Sequence, residues 1–263
     1  MRGSPVGYRL IVLAMLLSGC AKKEAAVVEI KGPCADLNKT AVCTWAKMQG
    51  GTVLEAGATV PIASIANAPV DAPMTWPPIA DAAADIPGSA RAGSGFQLLS
   101  VNWEPHGHPP GAYLTPHFDF HFYVIPAAEI AAIDCKDRTK PATLPAAYGL
   151  IDVAMPPEIA KMIGTDTLIG LCVPKMGMHS MLASELASTA TFGGDMVIGY
   201  YKTKPIFIEP MLSKSKLMEK KSFDFPIPTV PGLAGVYPRK FHAEWDEQGQ
   251  SYRFIFSGFA PGA

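Results

Sequence analysis

Residues 103–125 read WEPHGHPPGAYLTPHFDFHFYVI, and four of the chain's six histidines fall between His106 and His121. Successive side chains of a strand point to opposite faces. In an extended 117–124, Phe118, Phe120, Phe122 and Val124 therefore share one face, and His117, Asp119, His121 and Tyr123 the other. The first face is a core face. The second concentrates imidazole and carboxylate where a solvated strand would carry Lys, Glu, Thr or Ser. Such donors suit a divalent transition metal such as zinc, whose His N and carboxylate O bonds are about 2.0–2.2 Å long. Residues four apart on a strand are about 13 Å apart at roughly 3.3 Å per residue, so without a bulge His117 and His121 cannot share one ion. His117 with Asp119, or Asp119 with His121, can; Asp119 could instead orient a ligand histidine from behind. The other expected ligands are His179 and Glu209, with His106 and His108 as additional ones. The competing reading is a polar interior network in which the histidines bond Asp119, Tyr123 and backbone.

These residues need strands to position them. The sequence reads as strands over 96–104, 117–125 and 252–259, with 195–201 and 205–209 forming a hairpin around Lys202-Thr203-Lys204. Short helices are expected over 35–48, near 127–133 and over 156–163, and residues 52–90 read as short strands and loops. Gly 24 plus Pro 25 leaves little room for long helices. The fold class is mainly β, a single-domain antiparallel β-sandwich or barrel with a few short helices.

Composition narrows the function. Lys+Arg 22 against Asp+Glu 23 gives a net charge of -1, which excludes a phosphate-neutralising nucleic-acid binder. Hydrophobic residues at 49% exclude extensive disorder. Ser180 and Ser184 lack a nucleophile-elbow context, and no Gly-rich phosphate loop is present. No catalytic residue is assigned. Met176, Met178 and Met181 around His179 offer thioethers to copper(I), but core filling is the ordinary use of methionine. Lys214–Lys221 reads as a solvated basic segment with the alternative of facing anionic lipid, and Trp103 and Tyr113 as packing residues.

The N-terminus reads as an address. Two arginines precede the apolar run 10–17, which is too short to span a bilayer but suits a secretory signal. Leu17-Ser18-Gly19-Cys20 resembles the bacterial lipobox, which implies cleavage before Cys20 and lipid attachment to it. Residues 1–19 are thus expected to be the signal peptide, 20–32 a lipid-anchored tether and 33–263 the β domain. With Ala21 and Lys22 following and no Asp next to the cysteine, the pattern points to the outer membrane, facing the periplasm or exterior. The remaining Cys34, Cys43, Cys135 and Cys172 are even in number, as disulfides in an exported chain require. Local closure favours Cys34–Cys43 and Cys135–Cys172.

The runs His106-Gly-His-Pro-Pro, Pro116-His-Phe-Asp-Phe-His-Phe-Tyr123, Cys172-Val-Pro-Lys-Met-Gly-Met-His179 and Phe207-Ile-Glu-Pro-Met211 resemble a family of exported bacterial proteins of unknown function, over about residues 96–212. That resemblance brings no activity with it. A looser similarity is to cupins, whose sites combine histidines and a glutamate inside a β-barrel, although the two-residue His spacing of cupins occurs here only at His106 and His108. The expectation is a membrane-anchored lipoprotein binding zinc, copper or a small ligand without catalysis. The alternatives are a metal-dependent cupin-like enzyme and a metal-free structural or homo-oligomeric envelope protein.

Overall fold

Val, Thr and aromatic runs cut short by turns fold as strands rather than helices. The computed structural model describes residues 24–262 apart from 74, 189 and 191. The signal segment 1–19 and Cys20 lie outside the described residues. In chain order the strands are β1 (Val27–Leu37), β2 (Thr40–Gln49), β3 (Thr52–Pro61), β4 (Ala82–Asp85), β5 (Leu98–Glu104), β6 (His117–Tyr123), β7 (Tyr148–Gly149), β8 (Val153–Ala154) and β9 (Thr167–Leu168). They continue with β10 (Met178–Leu182), β11 (Gly194–Tyr201), β12 (Lys204–Ser213), β13 (Phe223–Pro226), β14 (Val236–Tyr237), β15 (Lys240–Asp246), β16 (Ser251–Ser257) and β17 (Ala260–Pro261). Among the described residues, six short α-helices connect them: α1 (Ile62–Ala66), α2 (Gly88–Ser94), α3 (Ala127–Ala131), α4 (Pro157–Ile163), α5 (Ala183–Leu186) and α6 (Lys214–Met218).

Two antiparallel sheets form a sandwich, one ordered β1-β2-β3-β16-β15-β13 and the other β4-β5-β6-β12-β11-β10-β7. Phe118, Phe120 and Phe122 point between them. Phe120 meets Phe254 edge-on at 4.9 Å and Phe122 meets Phe256 at 4.7 Å, so β6 and β16 interlock across the core. Each of these fully buried phenylalanines contributes roughly 1.5–3 kcal/mol through apolar burial.

β6 is buried on both faces. Its second face carries the histidines and is covered by a layer that includes the segments around Tyr113, Ile133, Leu171 and Phe192. A second apolar cluster, including Tyr113, Ile133, Leu171, Met176, Phe192 and Phe207, fills the space between that layer and the sheet. The layer is tied down by the Tyr123 hydroxyl donating to the Lys175 carbonyl at 3.0 Å and by the Cys135–Cys172 disulfide.

Two segments differ from the sequence reading. Residues 35–48 are not a helix: they complete β1 and form β2, joined at Asn38 and Lys39 with φ of 52° and 69°. Two successive left-handed residues make a tight hairpin whose twist matches the strands, and the Cys34–Cys43 disulfide crosses it. β1 also begins at Val27, so residues 27–32 of the expected tether are an edge strand. The Lys202-Thr203 hairpin forms as read, with φ of 48° and 66° at its two turn residues.

Candidate metal centre

The site is written across adjacent strands by their register. β6 pairs with β5 on one side, placing Ser100, Asn102 and Glu104 opposite His121, Asp119 and His117. It pairs with β12 on the other, with Met211 opposite Asp119 and Ser213 opposite His117. The same register sets Glu209 opposite His121. β10 supplies His179, two strands further across the sheet.

These positions form two groups of three, each with its ligand atoms within 4.8 Å of one another. His108, His117 and Asp119 form an outer group; His121, His179 and Glu209 form an inner one. His117 Nε2 lies 3.3 Å and His108 Nε2 4.0 Å from oxygens of Asp119. In the inner group, His121 Nε2 is 3.7 Å from Glu209 Oε2. Two ligands of one ion at about 2.0–2.1 Å are about 3.3 Å apart in a tetrahedron and at most about 4.2 Å apart in any geometry. All three contacts fall within that limit.

The hydrogen bonds set the tautomers. The Nδ1–H groups of His108, His117 and His179 donate to the carbonyls of Pro109, Thr115 and Leu171, at 2.8, 2.6 and 2.9 Å. Each Nε2 is thereby turned toward its group, the arrangement a backbone carbonyl imposes on a ligating histidine. Among the described residues, both nitrogens of His121 and Glu209 Oε2 are buried without a hydrogen-bond partner, and His117 Nε2 and Asp119 Oδ1 face only each other, at 3.3 Å and outside hydrogen-bond geometry. An interior polar network would satisfy such atoms, because each orphan costs about 1–3 kcal/mol.

Glycine makes room in two places. A Cβ on Gly107 would lie 2.0 Å from the Tyr113 carbonyl oxygen, and this close turn sets His108 over the sheet. A Cβ on Gly199 would strike the Phe207 ring at 2.2 Å, the ring on which His121 and His179 pack at 4.8 and 5.4 Å.

Burial dominates the electrostatics. It depresses His121 to about 3 and His108 to about 4, and lowers His179 as well, so all three are neutral imidazoles with free lone pairs. Burial also works against the charged form of His117, but the Asp119 carboxylate outweighs it and raises the pKa. For Asp119 burial is likewise opposed and overcome by the surrounding histidines, His117 foremost, which hold the carboxyl below its usual range. Glu209 is raised well above 4.5 by burial and then by the charge of the neighbouring Asp119. Without a cation, this pair holds one charge rather than two.

Of the residues singled out from sequence, His117, Asp119, His121, His179 and Glu209 all reach the centre, and His108 joins them. His106 does not: it is exposed and pairs with Asp71 at 3.0 Å. His117 and His121 fall in separate groups, as strand spacing requires. Met178 fills the core between the sheets, and Met176 and Met181 pack in the apolar cluster over the site. Trp103 stacks on Phe118, and Tyr113 is buried with its hydroxyl donating to Asp195. Glu104 and Asn102 were missed. Burial, followed by the charge of Asp119, pushes Glu104 up to about 8. The alternation Ser100, Asn102, Glu104 was the available signal, since those residues share one face of β5.

The cupin arrangement differs in position. Here the space between the sheets is filled by phenylalanines, and the ligand types stand on the sheet's other face. Two clefts of about 560 and 570 Å³ lie elsewhere, and none of the six residues lines either. The class defined by fold and site is a β-sandwich with buried His/carboxylate groups able to hold a metal ion. No family model matches the chain, and no curated protein or solved structure is significantly similar to it.

Proposed function

We propose that this chain is an exported lipoprotein that binds a divalent transition metal at the His/Asp/Glu centre without catalysing a reaction. One observation carries the reading: Nε2 of His117 and of His121 and oxygens of Asp119 and Glu209 are buried with no hydrogen bond of their own, while backbone carbonyls fix Nδ1 of His108, His117 and His179. Nitrogen and oxygen donors with no thiolate favour zinc or a neighbouring first-row divalent ion over copper(I). Elemental analysis of untagged protein isolated from its own compartment should find stoichiometric transition metal. Metal-free protein that takes up none on addition of zinc or copper would refute the proposal.

The lipid anchor is the second part of the proposal, supported by the Leu17-Ser18-Gly19-Cys20 sequence. The Cys20→Ala variant should leave the membrane fraction or keep its signal uncleaved. Normal cleavage with normal membrane retention would remove the anchor.

A further inference from the structure

We infer that the two groups are one two-metal centre, in which the adjoining carboxyls of Asp119 and Glu209 lie between an enclosed inner ion and an exchangeable outer ion. The inference rests on the metal-binding reading and adds the number of ions, their coupling and their unequal access.

Three independent features support it. The groups share no residue, and each supplies two imidazoles and one carboxylate, so neither is an incomplete half of a single site. Asp119 and Glu209 stand on the same face of the adjacent strands β6 and β12, and Asp119 Oδ1 and Glu209 Oε2 are both buried without an accepted hydrogen bond. Two carboxylates side by side in a buried setting repel one another unless positive charge compensates them, and two divalent cations would do so from either side. The third feature is the strand face beside the outer group. Asn102 stands opposite Asp119 on β5, buried, with its Oδ1 unpartnered, and Glu104 stands opposite His117. That face therefore offers the outer ion oxygen donors that His108, His117 and Asp119 do not provide.

Access differs between the two. The side chains of His121 and Glu209 are 0% and 1% exposed, whereas that of His108 is 26% exposed and comes from a loop rather than a strand. The outer ion can leave when that loop lifts; the inner ion is held by three strands.

The test is cobalt(II) titration of the chelator-treated full-length protein, read by elemental analysis and electron paramagnetic resonance. Two equivalents should bind, and filling the second should reduce the signal per cobalt through exchange coupling. His108→Ala, on an accessible loop, should fold and bind one equivalent with the uncoupled signal. Asp119→Asn should lose the coupling whether one or two ions remain. One equivalent in the wild type would overturn the two-ion centre while leaving the metal-binding reading intact. Two equivalents without coupling would overturn the placing of the adjoining carboxyls between the ions, and an unchanged count in His108→Ala would overturn the outer site. No bound cobalt would refute the underlying reading and the inference with it.

Discussion

Glu209→Gln separates a metal ligand from a structural hydrogen-bonding residue. Burial and the neighbouring Asp119 keep Glu209 protonated at neutral pH in the metal-free protein. Glutamine has the same size and is also neutral, so the chelated variant should melt within about 2 °C of the chelated wild type. Metal changes the comparison, because only a carboxylate can lose its proton and ligate. Ligand at 1,000 times its Kd stabilises by about 4.1 kcal/mol. If the substitution weakens binding about 100-fold, the same metal concentration becomes about ten times Kd, and the gain falls to about 1.4 kcal/mol. The difference of about 2.7 kcal/mol corresponds to roughly 5–11 °C at about 2–4 °C per kcal/mol for a chain of this size. Differential scanning calorimetry with chelator and with zinc measures both arms. Equal destabilisation of the variant in chelator and in zinc would refute the reasoning and leave Glu209 as architecture.

Phe120→Ala should cost about 3–5 kcal/mol in urea unfolding of the chelated protein, because its ring is fully buried against Phe254; a loss below about 1 kcal/mol would mean that the sheets do not interlock as described. Glu104 is raised from 4.5 to about 8, so its folded form holds a proton that the unfolded form releases. Its contribution to stability is present below pH 4.5 and lost as pH rises through about 8. Metal-free Glu104→Gln should consequently lose less stability between pH 5 and 8 than wild type, and parallel pH profiles would contradict this. His108 and His121 act with the opposite sign: they stay neutral in the folded state down to about pH 4 and 3, so metal-free stability should fall as pH drops below about 6.5. Denatured, non-reduced protein should show no alkylatable thiol among Cys34, Cys43, Cys135 and Cys172, by mass spectrometry. Reducing Cys135–Cys172, which joins residues 37 apart, should cost on the order of 2–4 kcal/mol.

The centre was legible because strand parity needs no tertiary information. The sequence HFDFHFY assigns three phenylalanines to one face and His117, Asp119 and His121 to the other, whatever the sheet order. The division of ligands was only half legible. Strand spacing separates His117 from His121, but it does not pair Glu209 with His121; that depends on the β6–β12 register. Likewise nothing local distinguishes His106 from His108. The tight turn at Gly107 against the Tyr113 carbonyl sends one ring inward and leaves the other in solvent with Asp71. Residues 35–48 were misread because Asn38-Lys39 is a weaker turn signal than Asn-Gly. The spacing of Val42, Trp45 and Ala46, at i, i+3 and i+4, also fits a helical face over so short a window.

The most direct measurement is anomalous diffraction at the zinc absorption edge from crystals of zinc-loaded, untagged protein. The account predicts a peak about 2.0–2.2 Å from His121 Nε2, His179 Nε2 and a Glu209 oxygen. No peak at that position, or zinc bound only at the exposed His106, would contradict it.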